Sequence, residues 1–188
     1  MDLDKAIKQR KSIKRYSEKK PDWRDILKAI DLVRFAPMAG NIFSMKFILV
    51  QNKEIIEKLA EYSQQDFVKK ASYVVVAVSN VNQVKKSYDD KGERFCHQQA
   101  GAAIQNFLLK CTDLGLATCW VGYYEEKDVK NVLRIPDEMV VEAFFPIGLE
   151  TKIKTPNKMK ADLDNFIYFD VWEQKTSVKK EKGSSDII

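Results

Sequence analysis

The cationic side chains of this 188-residue chain fall into two clusters. Residues 1–20 hold eight Lys or Arg against three Asp or Glu, an excess equal to the net charge of +5 for the whole chain. Arg10, Lys11 and Ser12 stand together there, and Lys14 and Arg15 follow. The second cluster, Lys152, Lys154, Lys158 and Lys160, has no acid among it. Either could hold an anion, and a basic face can also serve nucleic acid. No helix-turn-helix, zinc-finger or RNP-like pattern accompanies them, so no nucleic-acid partner is expected. The clusters lie at opposite ends of the sequence, so a shared anion site needs the fold to join them.

Other catalytic constellations are missing. There is no G-x-S-x-G, no H-E-x-x-H, no Walker loop, and no G-x-G-x-x-G after a strand. One histidine, His97, and three cysteines without metal-type spacing offer no metal site. Cys96 and His97 are adjacent, and neighbours on a helix point roughly 100° apart, which makes a poor nucleophile–base pair. A core thiol and a surface imidazole are expected instead. The thiols suit a reducing, cytoplasmic setting. No run of about eighteen apolar residues exists, so no membrane span is expected. With so little acid, base or nucleophile, either the chain is non-catalytic or a cofactor carries its chemistry.

The elements that would position such chemistry centre on Gln99–Gly122. Ala100, Ala103, Ile104, Phe107, Leu108, Cys111 and Leu114 recur at helical spacing and form one apolar stripe. Gly101, Ala102 and Ala103 keep the other side slim at its start, open to a close backbone or a flat ligand. Gly115 supplies the left-handed residue that ends the helix. Thr118–Gly122 then reads as a strand edge that presents backbone to a bound molecule.

Around this unit, Asp2–Arg10 reads as a short helix with Leu3, Ala6 and Ile7 as its apolar face. A second helix starts at Pro21-Asp22 and ends near Ala36-Pro37. Pro37–Asn41 is a loop, and Lys46–Val50 a strand. Glu54–Tyr62 is an amphipathic helix, and Asp66–Ala71 a short one. Tyr73–Val78 suits a central strand buried on both faces. Asn80–Gly92 is polar and reads as a surface loop, Glu125–Leu133 as a helix, and Val140–Gly148 as a strand. A last apolar run in Asp164–Trp172 reads as an isolated strand. Helices alternating with four or five strands indicate an α/β or α+β class. Residues 1–173 are expected to form one domain, and 174–188 a polar, disordered tail.

Four segments carry a resemblance. Arg10–Tyr16 resembles the R-R-S-x-R-x-F opening of the FMN-dependent nitroreductase family, and Ala36–Asn41 resembles its A-P-S-x-x-N loop. Gln99–Gly122 is similar to its A-x-Q-N-L-x-L-A-A-x-x-L-G-L-G-S-x-W-x-G block. Leu133–Glu138 with Phe145–Gly148 resembles its L-x-I-P-x-x…P-I-G-Y segment. The resemblance spans about residues 4 to 172, in order. It implies an α+β fold with a mostly antiparallel central sheet, in an intertwined homodimer with FMN sites at the subunit interface. The late apolar strand would then add to the partner's sheet.

The resemblance also assigns a site. Arg10, Lys11 and Ser12 would hold the FMN phosphate, joined by Lys160 or alternatively Lys158. Lys14 would face the flavin ring, with Gln64 or Gln65 as amide contacts. Trp120, Val121 and Gly122 would lie beside the reactive ring edge. Pro37, Met38, Ala39 and Asn41 would contact flavin from the other subunit. Many relatives read P-S-x-x-N-x-Q-P-W where this chain has Pro37–Met45, so Met38, Phe43, Ser44 and Met45 make that loop greasier. The implied activity is ping-pong transfer of hydride from NADH or NADPH to a small acceptor of nitroaromatic or quinone type. The alternatives are dehydrogenation or flavin fragmentation on the same scaffold, or a non-catalytic flavin-binding dimer.

Overall fold

The computed structural model describes residues 1–152 and 161–174, and the chain divides into two compact units, Met1–Pro156 and Asn157–Ile188. In the first unit, strands β1 (Met45–Val50), β2 (Tyr73–Ser79), β3 (Ala117–Thr118) and β4 (Val140–Gly148) form one sheet. Their order is β1-β2-β4-β3 and every pair is antiparallel. This is the α+β class, with the antiparallel sheet that the sequence implied.

Side chains alternate across the sheet and fill a core on each face. Val75, Ala77, Ala143, Phe145 and Ile147 meet α2 (Trp23–Asp31) and α5 (Lys91–Asp113). Val74, Val76, Val141 and Phe144 meet α3 (Lys53–Tyr62) and α6 (Glu126–Leu133). The expected stripe of α5 is buried from Ala100 to Cys111, and Gly115 ends the helix region at φ 71°. The slim side is narrower than the sequence reading had it. A side chain at Gly101 would meet nothing within 4 Å, and Ala102 is half-buried, but Ala103 belongs to the core.

Three expectations change. Asn80–Gly92 is not a loop, because it contains helix α4 (Val81–Tyr88). Asn80 caps it by accepting from the Gln83 amide, and Val81 and Val84 bury one side of an otherwise polar segment. Gly92 lets α5 start against it, since a Cβ there would lie 2.6 Å from the Lys85 Cα. In α1 (Leu3–Gln9) only Ala6 is buried, while Leu3 and Ile7 stay exposed. In the second unit, Asp164–Trp172 is no strand. Leu163–Asn165 is a 3-10 turn, and the Phe169 amide donates to the Gln174 carbonyl, so the backbone bonds close locally instead of forming a ladder.

The segment between α1 and α2 docks on the sheet. The Ile13 amide donates to the Thr118 carbonyl at 2.8 Å, and the Ser17 amide to the Leu149 carbonyl at 2.8 Å. Between them Tyr16 bridges to Glu150, and its hydroxyl donates to the Ile13 carbonyl at 2.9 Å and the Pro146 carbonyl at 3.3 Å. Burial pushes the Tyr16 phenol far above its ordinary pKa, so it remains a donor. Its ring fills the space where Gly148 has no side chain, because a Cβ at Gly148 would lie 2.7 Å from the Tyr16 ring.

Gly148→Ala should therefore lower unfolding free energy by about 1–3 kcal/mol in urea titration. Adding Tyr16→Ala should remove the clash, so the second change costs less in the Gly148→Ala background than alone. Additive effects would show that the two residues are not in contact.

Candidate functional site

The outer edge of β3 is where this segment meets the helix–turn–strand unit. Thr118 pairs with Ile147, and Val121 exchanges both backbone hydrogen bonds with Phe144 at 3.0 Å. Bonded pairs alternate along an antiparallel ladder, so the next would join Cys119 to Pro146. Proline has no N–H, and the regular strand stops at Thr118. The sequence reading had the strand edge continue to Gly122. The same alternation turns the backbone of Trp120 and Gly122 outward, on the side where Thr118 accepts from Ile13. Val121 spends its N–H on Phe144 and has none for a ligand.

Trp120 stands edge-on to Phe145 with ring centroids 5.6 Å apart and remains 42% exposed. Its indole covers Gly122, where an added Cβ would lie 3.3 Å from the indole Nε1. A larger residue at 122 would push the indole away from the edge.

Cys119, on the opposite face of the edge, marks where the first cationic cluster gathers. Burial pushes its thiol pKa up, while the Ser12 hydroxyl and the Lys14 and Arg10 charges pull it down. All three side chains thus lie within electrostatic reach of one sulfur. Arg10 is half-buried at the end of α1, and Ser12 and Lys14 are exposed. The Lys14 ammonium lies 5.0 Å from the ring centre of Phe67, so the turn after α3 borders the cluster. That turn carries Gln64, which is exposed and left-handed at φ 53°. Lys11 departs from the group, forming an ion pair with Glu150 at 3.0 Å. Lys158 and Lys160 lie outside the described residues, so the joining of the two basic clusters is not seen.

A second group sits against α5. Pro37, Met38 and Ala39, with Phe95, Gln98, Gln99 and Ala102 of α5, line a cleft of about 320 Å³. Asn41 is exposed and left-handed at φ 57°, next to Gly40 at φ 56°. Gly40 lies against Tyr88 of α4, whose hydroxyl would be 2.8 Å from a Cβ there. Gln99 is only 4% exposed and holds three hydrogen bonds: its Oε1 accepts from the Ala39 amide at 3.0 Å, and its Nε2 donates to the Ile42 carbonyl at 3.2 Å and Ser44 Oγ at 2.8 Å.

Sequence reasoning passed over Gln99, Tyr16 and Phe67. The signal for Gln99 was a polar residue inside an apolar helical stripe, which needs partners when buried. Cys96 and His97 behave as expected: the thiol is buried against Ser44 Oγ at 3.4 Å, and the imidazole is on the surface beside Glu142 at 2.9 Å. Among the described residues there is no metal-binding cluster, and no helix is long and apolar enough to cross a membrane.

Comparison with known proteins places this arrangement. The Nitroreductase family profile matches residues 7–67 and 60–149. A relative from Archaeoglobus fulgidus, provisionally named an NADH dehydrogenase/NAD(P)H nitroreductase, is 30% identical over 149 residues, covering 77% of this chain and 83% of the relative. The crystal structure of a nitroreductase family protein from Clostridium novyi is 30% identical with a TM-score of 0.74, over 93% of this chain and 96% of that one. A nitroreductase family protein from Clostridium difficile is 24% identical and superimposes with a TM-score of 0.81, over 92% and 100% of the two chains. The chain belongs to the nitroreductase family of oxidoreductases.

Proposed function

We propose that the protein is an FMN-dependent oxidoreductase of the cytoplasm that passes hydride from NADH or NADPH to a small nitroaromatic or quinone-type acceptor. The observation that carries this reading is that the segment Arg10–Lys14 is bonded to the strand edge through Ile13 and Thr118, which brings Arg10, Ser12 and Lys14 within electrostatic reach of Cys119, next to Trp120 and Gly122. The donor set fits FMN in kind: a guanidinium and a hydroxyl for a phosphate, an ammonium for the electron-rich side of the ring, and backbone N–H groups at an open edge. Bound FMN would supply the hydride-accepting centre, for which the chain itself offers no substitute.

The chain's own residues bind and orient. Arg10 and Ser12 hold the phosphate, and Lys14, steadied over Phe67, offers positive charge beside the ring. Trp120 and Gly122 keep the edge close and partly shielded from water. Residues 1–173 act as one FMN-binding domain. The Met38 loop serves a second copy of the chain, so the working unit is a homodimer. Reductant and acceptor occupy one cleft in turn, a ping-pong order. Apolar Met38 and Phe95 favour flat, weakly hydrated acceptors there.

Purified protein supplied with FMN should be yellow, and NADH or NADPH added without oxygen should bleach it. A protein that takes up no flavin contradicts the reading, whereas bound flavin that neither donor bleaches leaves only flavin binding. In fluorescence titration Arg10→Ala should weaken FMN binding by roughly 10–100-fold, the worth of a charge-assisted hydrogen bond. Lys11→Ala should change it less than about threefold, because Lys11 is engaged with Glu150 and offers only screened charge. The reverse order would misplace the phosphate.

A further inference from the structure

The loop that lines the cleft has one 3-10 turn of its own, in which the Asn41 amide donates to the Met38 carbonyl at 3.1 Å and the Ile42 amide to the Ala39 carbonyl at 3.0 Å. Among the seven residues Met38–Ser44 only Asn41 and Ser44 carry a polar side-chain atom, and Asn41 is exposed. Two residues of the loop are left-handed, Gly40 and Asn41. One short turn does not fix where the loop lies against α5, so contacts from outside it must set that placement.

Gln99 has the geometry to do so. Its single amide reaches both ends of the loop, accepting from Ala39 and donating to Ile42 and Ser44. A side-chain amide has one acceptor and two donors to give, and all three are used here. Being 4% exposed, it has little access to water as a substitute partner. Behind it, Ser44 Oγ meets the buried Cys96 thiol, so the hold is anchored in the helix. From the other side Tyr88 closes on Gly40, which blocks the loop from lifting.

The geometry points to Gln99 as a positioning residue that clasps the Met38–Ser44 loop to α5 and thereby fixes the cleft in which reductant and acceptor bind. The role rests on the proposed oxidoreductase reading for its kinetic consequence, but not for the clasp itself. Gln99 acts through Ala39, Ile42 and Ser44, the groups that its amide holds. Its loss should weaken binding in the cleft more than turnover at saturation, the pattern of lost uniform binding.

Gln99→Leu leaves the Ala39 amide and Ile42 carbonyl without partners. Gln99→Glu is more telling, because a carboxylate can still accept from Ala39 but donates to neither Ile42 nor Ser44. Protonating it restores one donor. Acceptor KM in Gln99→Glu should therefore rise by about tenfold at pH 8 and return toward wild type as the pH falls, while Gln99→Leu stays high throughout. The wild-type amide does not ionise and has no such profile. Ile56→Val, in the other core, is the control for lost stability alone, with no expected change in KM. Hydrogen exchange at the Ala39 amide should quicken by about tenfold or more in Gln99→Leu, with or without flavin. If Gln99→Leu folds with unchanged Ala39 exchange and unchanged KM, the clasp is overturned. If the wild type binds no flavin, the oxidoreductase reading fails, and the exchange measurement still decides the clasp.

Discussion

The candidate site depends on an edge strand that β4 cannot fully pair. Pro146 stands where the ladder calls for an N–H to Cys119, so regular pairing stops and resumes only at Val121. On its other side the strand leaves a short, open edge, and the N-terminal segment takes part of it through Ile13 and Thr118. An unpaired edge normally invites another strand. Here the chain covers one end with its own cationic segment and leaves Trp120–Gly122 facing outward. Tyr16 completes the arrangement by filling the hollow at Gly148, which fixes how far the segment runs along the edge. The positions of Arg10, Ser12 and Lys14 follow from that register.

The long helix α5 links this edge to the cleft. Its buried stripe sets the height of the sheet face carrying Phe145, on which Trp120 leans. Its Gln99 and Phe95 belong to the cleft side, with the Met38 loop clasped against them. The two parts of the site are thus built differently. The edge is held by backbone hydrogen bonds and a packed tyrosine. The cleft loop has a 3-10 turn of its own and a backbone bond from Asn80 to Ser44, and it is tied to α5 and α4 by the Gln99 amide and the contact with Tyr88.

Much of the fold was legible because its signals are local. The run Tyr73–Val78 is apolar at every position, and only a strand buried on both faces suits such a run of β-branched residues. The stripe in α5 and the stop at Gly115 follow from spacing and from a left-handed requirement. The misread segments depended on packing and turn bonds that residue spacing does not display. Val81 and Val84 mean little until α5 is there to receive them. The apolar run near residue 167 resembles a strand, yet in this structure its backbone bonds close on themselves. In the site, the cationic motif was visible, but not that Glu150 draws Lys11 aside. Gln99 was passed over, because its three partners are more than fifty residues away.

The central claim is that FMN lies along the edge formed by residues 10–14 and 120–122. Amide hydrogen exchange with and without FMN, read residue by residue, tests it most directly. The account predicts that FMN slows exchange at Trp120 and Gly122 and at Lys11, Ser12 and Lys14, with little change at Arg10, Ile13 and Val121, whose amides are already bonded to the Ala6, Thr118 and Phe144 carbonyls. Flavin protection confined to other segments, or slowing at Val121 without Trp120 and Gly122, would contradict it.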